Sequence, residues 1–451
     1  MSIAAEASNA RITRHAHEST LSEATVILEG TSFRERVSLR MAENTPTTAA
    51  LSEVVAAEGH LIDSHILEQI FDTAVECGVR YEVEEFSIGR TNADASHLRL
   101  KLEAPTAEAM DRVLAQLLPL GCSPVEAGDA ITEVVKKDQC APDNFYSTTN
   151  HRTQVRLGGH WITADDQRMD AMLVVKDGTA ACRRLRDLRV GDQVVTGMRG
   201  IRVVPESKER DRLAFAFMSN TVSSERQVET AVQQTAALMK AAREQGQRIV
   251  VVAGPVVVHA GGAPHLVKLI DAGFVDAILA GNALGVHDME AALLGTSLGV
   301  RQSDGRQAEH GHRNHMRAIN AINTAGNIKK AVETKVLTSG IMYECVKRGV
   351  PVVLAGSLRD DGPLPDTITD MNEAQDAYAQ QLKGAGVVLS FGSMLHSIAV
   401  GNMLPSWVKV VCVDINPAVA TKVSDRGTGQ AIGVVTDVGL FLEHLARFLC
   451  K

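Results

Sequence analysis

Residues Gly386 to Pro417, GVVLSFGSMLHSIAVGNMLPSWVKVVCVDINP, carry the reading on which the fold turns. An apolar run, Val387 to Phe391, meets Gly392 and Ser393, and a helical spacing of Leu395, Ile398, Ala399 and Met403 follows. After Pro405 a second apolar run, Val408 to Val413, ends on Asp414. This predicts strand, helix, parallel strand. Gly392 and Ser393 suit the turn and the N-cap, which aims free backbone N–H groups and the positive dipole end at the strand tips. An acid that closes the next strand is where a dinucleotide fold holds a ribose hydroxyl. The stretch reads as the heart of a nucleotide site. Taken alone, an ordinary buried βαβ unit with a surface aspartate fits it equally well.

Outward from this stretch the same grammar repeats from about Pro205. Apolar strands are expected at Leu213 to Phe217, Arg248 to Ala253, Ala277 to Leu279, Val350 to Leu354 and Ile432 to Val435, with helical patterns between most of them. Near-continuous apolar strands alternating with helices predict a parallel sheet covered on both faces. Each strand tip ends in small or polar residues, among them SNTVSSER, GPVVVHAGG, AGNALGVHD, AGSLRDDGPLPD and TDVG. Ligands of open α/β folds bind at those carboxyl ends. No G-x-G-x-x-G follows a strand and there is no P-loop. A bound dinucleotide therefore needs other loops. The candidates are Asn282 and Ala283, Asp360 and Asp361, the helix start Ser393, Met394, Leu395 and His396, and Asp414. An acid at Asp414 would repel a 2′-phosphate, which favours NAD over NADP.

Toward the N-terminus the pattern changes. Residues 1–45 are small and polar, a tail. Residues 46–140 read β-α-β-β-α-β. Strands fall at Val54 to Ile62, Arg80 to Ile88, His97 to Glu103 and Ala130 to Lys136. The first helix is capped by Ser64 and stopped by Gly78, and the second runs from Ala107 to Leu118 behind Thr106. That order is ferredoxin-like. Residues 141–204 look β-rich, with turns at GG, DG and GD. Before them FYSTTNHRT, Phe145 to Thr153, is either a polar cleft lining or a solvated linker. Residues 205–451 form the Rossmann-like domain. The expected fold class is α/β: a doubly wound parallel sheet preceded by a ferredoxin-like α+β unit and a small β-rich unit.

Composition excludes several function classes. The net charge of −8 leaves no basic footprint for nucleic acid, and 4% aromatic residues provide few stacking platforms. Seven scattered cysteines without a C-x-x-C pair fit a reducing cytosol. The longest apolar run, near Ile249 to Val258, is broken by Gly254 and Pro255 and too short to span a bilayer. The N-terminus, with His15, His17 and Glu18, lacks a signal-peptide core. A cytoplasmic protein is the expectation. EHGHRNH presents His310, His312 and His315 without supporting carboxylates or cysteines, so no metal is expected. Cys345, in an amphipathic pattern, reads as packed rather than nucleophilic, and His259 beside Gly261 and Gly262 is a minor catalytic candidate.

Taken together, GPVVVHAGG, LAGNALGVHD, GHRNHMRAIN, SGIMYEC, LAGSLRDDGPLPD, SMLHSIAVGN and VDINPAVATKVSDRG resemble the archaeal-type ornithine cyclodeaminases. The same unit forms the C-terminal half of cyanobacterial bifunctional arginine dihydrolase/ornithine cyclodeaminases. FSIGRTNADASHLRL and FYSTTNHRT look like the lysine–ketoglutarate reductase/saccharopine dehydrogenase conserved region. The resemblance covers about residues 50–451, and the dihydrolase domain is expected to be absent. A weaker likeness is to deoxyhypusine synthase. The resemblance implies NAD-dependent conversion of L-ornithine to L-proline and ammonia, with NAD contacts at Asn282, Ala283, Asp361, Ser393, Met394, Leu395, His396 and Asp414. Asp360 and Asp361 would orient an ammonium, and His396 or His259 would carry protons. Arg90 is an option for the substrate carboxylate, and Asn150 a second substrate contact. Two other classes stay open, an opine- or saccharopine-type oxidoreductase and a non-catalytic NAD- and amino-acid-binding regulator. A homo-oligomer is expected.

Overall fold

The computed structural model describes residues 51–62, 66–89, 94–125, 128–205, 224–360, 362–425 and 431–450. Arg90, Asp361, Ser64 and the expected strand Leu213 to Phe217 lie outside the described residues.

The first layer is a four-stranded sheet of β1 (Leu51–Gly59), β2 (Arg80–Ser87), β3 (Ser96–Ala104) and β4 (Ser123–Pro124) in the order β2-β3-β1-β4. Helices α1 (Ile66–Glu76) and α2 (Ala107–Leu117) cover one face. Thr106 caps α2, its hydroxyl accepting from the Ala109 N–H at 3.2 Å. The ferredoxin-like order is as expected, but its last strand is not Ala130 to Lys136. That segment forms β5 (Ile131–Val134), which pairs with Gln193–Thr196 in the next sheet. The edge beside β1 is taken instead by Ser123–Pro124, with the Val125 N–H on Val54 O at 2.8 Å. Two residues ending in proline carry no alternation to read, and proline is tolerated only at such an edge.

Seven short antiparallel strands follow: β5, β6 (Arg152–Leu157), β7 (His160–Thr163), β8 (Met172–Lys176), β9 (Thr179–Arg183), β10 (Gln193–Thr196) and β11 (Ile201–Val204). They form two sheets, β5-β10-β8-β9 and β11-β6-β7. Of these, β9 and β11 had no counterpart in the sequence reading.

The remainder is a seven-stranded parallel sheet. After α3 (Ser224–Glu244) come β12 (Arg248–Ala253), α4 (Val256–His259), α5 (Ala263–Asp271), β13 (Ala277–Gly281) and α6 (Asn282–Leu294). A two-strand hairpin, β14 (Thr296–Ser297) and β15 (Val300–Arg301), precedes α7 (Asn314–Ala325), α8 (Ile328–Glu333) and α9 (Ile341–Arg348). Then come β16 (Val352–Ala355), β17 (Thr367–Ile368), α10 (Met371–Leu382), β18 (Ala385–Phe391), α11 (Met394–Met403), β19 (Lys409–Asp414), α12 (Pro417–Asp425), β20 (Ala431–Val435) and α13 (Val438–Leu449). The sheet order is β17-β16-β13-β12-β18-β19-β20. Helices pack on both faces, so every side chain of β12 from Ile249 to Ala253 is fully buried. The chain winds outward one way from β12, then returns to its other side as β18. The switch point is therefore the gap between the carboxyl ends of β12 and β18.

Candidate active site at the switch point of the parallel sheet

The two strands that bound the gap end on glycines because their backbones nearly touch. The Gly254 N–H donates to Phe391 O at 2.8 Å, and a Cβ on Gly254 would strike the Gly392 carbonyl oxygen. Gly392 itself has φ +57°, and a Cβ there would strike the Val256 side chain on α4. These contacts bring the start of α11 and the start of α4 to opposite walls of one crevice.

On the α11 wall, Ser393 stands at the N-cap position as expected. Its hydroxyl does not cap the helix, and pairs instead with His396 Nδ1 at 2.8 Å. The helix therefore keeps its N-terminal amides open toward the crevice, where an anion is stabilised by both N–H groups and dipole. Met394 and Leu395, 44% and 75% exposed, offer apolar surface beside those amides. His396 lies against the tip of β13. A Cβ on Gly281 would come within 3.0 Å of its Cε1, and its ring stands 6.2 Å from that of Tyr378, whose hydroxyl donates to Ala280 O at 2.8 Å. Burial lowers the His396 pKa below its ordinary value, so the imidazole is neutral near pH 7 and able to accept a proton. One strand over, Asp414 is half-buried at the end of β19. It accepts from the Asn416 N–H at 2.8 Å through Oδ1.

Asn282 begins α6 and is buried. Its side-chain oxygen accepts from the Leu364 N–H at 3.1 Å and the Thr367 hydroxyl at 3.0 Å, so it ties down the loop that follows β16. Asp360 sits in that loop, where Oδ2 accepts from the Ser357 N–H at 2.7 Å. The structure thus brings Asn282, Ala283, Asp360, Ser393, Met394, Leu395, His396 and Asp414 to the carboxyl edge of one sheet. Asn150, the other expected substrate contact, is buried near the C-terminal end of α11. Its carbonyl accepts from the Ser406 N–H at 2.9 Å, beyond the far end of α11.

On the α4 wall is a buried polar network that the sequence reading caught only at His259. His259 Nδ1 lies 2.5 Å from Ser297 Oγ, and its ring meets His287 edge-on at 4.7 Å between centroids. His287 Nδ1 in turn lies 3.2 Å from Glu290 Oε2. Glu290 is fully buried and accepts from Thr296 Oγ1 at 2.8 Å, Leu298 N at 3.1 Å and Gly299 N at 2.9 Å. Burial opposes its ionisation, but the bonds from His287, Gly299 and Thr296 outweigh it and hold the carboxyl below its usual range. Burial, then the neighbouring His287, lowers the His259 pKa against the pull of Glu290. The readable signal was the i, i+3 spacing of His287 and Glu290 in one helix.

Two further buried groups have structural roles. Asp288 is buried and accepts from Ile341 N and Met342 N, both at 2.8 Å, capping α9. Cys345 is packed on that helix, and burial raises its thiol pKa far above normal. Among the described residues no group of three or more His, Cys, Asp or Glu side chains is placed to hold a metal. No described helix is long and apolar enough to cross a membrane.

Residues 233–445 match the family model for the ArgZ-like arginine dihydrolase C-terminal Rossmann fold, and residues 152–232 match its first region. Residues 52–151 match the LOR/SDH bifunctional enzyme conserved region. The chain is 47% identical over 400 residues to the ornithine cyclodeaminase of Methanothermobacter thermautotrophicus, covering 88% of this chain and 97% of that one. The chain belongs to the ornithine cyclodeaminase family. It is also 48% identical to the bifunctional arginine dihydrolase/ornithine cyclodeaminase ArgZ of Synechocystis sp., over 89% of this chain. There it spans 59% of the relative's length. The crystal structure of apo ArgZ superposes with a TM-score of 0.77 at 45% identity, again over 89% of this chain and 59% of that one. The family match runs through the ferredoxin-like layer and the parallel sheet alike, so the crevice belongs to the shared fold.

Proposed function

We propose that the chain is an ornithine cyclodeaminase, converting L-ornithine to L-proline and ammonia with NAD held in the crevice at the switch point. The observation that carries this reading is the match across 97% of the archaeal ornithine cyclodeaminase. The crevice supports it, because uncapped helix amides, an acid closing the neighbouring strand and two glycines at the approach suit a dinucleotide. When bound, NAD supplies a hydride acceptor for the ornithine Cα–H and gives the hydride back to the cyclised imine, so no NADH accumulates.

In this reading the amides of Met394, Leu395 and His396 hold the diphosphate, Asp414 a ribose hydroxyl, and Asn282 and Ala283 the approach beside β13. Asp360 and Asp361 orient the substrate ammonium groups. Both amines start protonated, so a neutral base is required. His396, tethered at Nδ1 by Ser393, presents its other ring nitrogen for that proton. His259, held by Ser297, is the second carrier, with His287 and Glu290 behind it. Arg90 is kept for the substrate carboxylate. The enzyme acts in the cytoplasm as a homo-oligomer, supplying proline from ornithine.

The test is proline and ammonia release from L-ornithine by purified protein with NAD, with absorbance of NADH followed throughout. Proline without net NADH is expected. Steady NADH accumulation would instead mark a saccharopine-type oxidoreductase, the alternative that the LOR/SDH region favours. Binding of both ligands without turnover would mark a regulator. Asp361→Asn with normal turnover would remove that residue from the mechanism.

A further inference from the structure

At the opposite end of α11 from Ser393, residues of the antiparallel sheets and of the parallel sheet line an open cavity of about 430 Å³. Its lining includes Arg168, Arg183, Arg184 and Lys383 together with Leu404 and Trp407. The helix between crevice and cavity is about 15 Å long, so the two sites are separate.

The arginines at this seam are unequal. Arg183 pairs with Asp166 at 2.8 Å, Arg184 with Asp187 and Asp376 at 2.5 Å each, and Arg186 with Asp376 at 2.9 Å. Arg168 has no such partner. Among the described residues its guanidinium makes no ion pair or hydrogen bond, and its Nε is buried. Burial pulls its pKa down, Arg184 and Arg186 push the same way, and Asp187 only partly opposes them. Each carboxylate on the wall is already engaged by another arginine. A half-buried cation in that position is costly until an anion reaches it.

The chain that leaves α11 adds apolar lining, Met403, Leu404, Trp407 and Val408. Arg152 stacks over the Trp407 ring at 4.5 Å. Among the described residues, Ser406 Oγ, one residue before that tryptophan, is buried without a partner. One unpaired guanidinium in a cavity with apolar lining suits a carboxylate on a compact hydrocarbon body, whose two oxygens match the guanidinium fork. The volume falls within the range of small-molecule sites.

We propose that this cavity binds a small organic monocarboxylate, its carboxylate on Arg168 and its apolar body against Leu404 and Trp407. The chain has two tryptophans, Trp161 and Trp407, so Trp161→Phe leaves Trp407 as the sole reporter. That variant is titrated with cyclopentanecarboxylate, with neutral cyclopentylmethanol, and with inorganic phosphate at matched ionic strength. A saturable change in Trp407 emission is expected with cyclopentanecarboxylate alone. Adding Arg168→Met should weaken it by at least about tenfold, the worth of a charge-assisted hydrogen bond, while Arg168→Lys retains binding. Absence of a saturable change, or a change that survives Arg168→Met unaltered, overturns the site. An equal response to phosphate overturns the ligand class. Thermal melting of the unaltered protein gives an independent reading if Arg168→Met does not fold. Cyclopentanecarboxylate should raise Tm and cyclopentylmethanol should not, and equal shifts overturn the proposal.

Discussion

His396 is held from two sides, by the Ser393 hydroxyl at Nδ1 and by the bare backbone of Gly281 under its ring. Such a neutral, oriented imidazole is a general base at pH 7, and proton transfer of that kind is worth about 10²–10⁴-fold. His396→Gln is therefore expected to lower the rate of proline release by about 10²–10⁴-fold with little change in Tm. A rate within a few-fold of the original would exclude it as the proton carrier. Because its pKa is lowered, activity should fall on the acid side only below the ordinary histidine value. Asp288 behaves in the opposite sense. Burial, opposed by bonds from Met342 and Ile341, raises its pKa from 3.8 to about 6. The native carboxyl then holds its proton where the unfolded one has lost it, so stability falls as pH rises through that window. The penalty at neutral pH is on the order of 3 kcal/mol. Denaturant midpoints of the protein and of Asp288→Asn, compared from about pH 4 to about pH 6, should show the original losing ground to the variant as pH rises. Parallel pH dependences would exclude a raised pKa.

At the scale of elements, the site depends on how closely β12, β18 and α4 approach. Gly392→Ala places a side chain in the left-handed region, at about 1–2 kcal/mol, and drives a methyl into Val256. The expected result is a clear fall in Tm and weaker NAD binding. The double variant Gly392→Ala/Val256→Ala should recover the steric part but not the backbone part. If Gly392→Ala melts like the original protein, the close packing at the switch point is wrong. The longer parallel strands were legible because each is a mostly apolar run between helical patterns, and the βαβ unit from Gly386 to Pro417 matches the structure nearly residue for residue. The two-residue strands β4, β14, β15 and β17 were not. They form where a neighbouring edge needs backbone partners, and nothing in their own sequence requires it.

Across the whole molecule, ion pairs tie the antiparallel sheets to the parallel one at Asp376, which accepts from both Arg184 and Arg186. Asp376 is 55% exposed, so this link should contribute little. Asp376→Ala is expected to change unfolding free energy by no more than about 1 kcal/mol in denaturant titration. A loss of several kcal/mol, or separate unfolding of the two parts, would show that the seam depends on this carboxylate. The sequence by itself determined the parallel α/β class, the ferredoxin-like order before it and the strand tips at which a ligand must sit. Those follow from local periodicity and from where apolar runs stop. Tertiary structure alone decided that Ser393 orients His396 instead of capping α11, and that Glu290 and His287 stand behind His259. It also decided that the Asn150 carbonyl receives the Ser406 N–H, and that Arg168 has no counter-ion among the described residues. Each of these depends on a partner far along the chain, and a side chain's hydrogen bonds and solvation are set by what folding brings beside it.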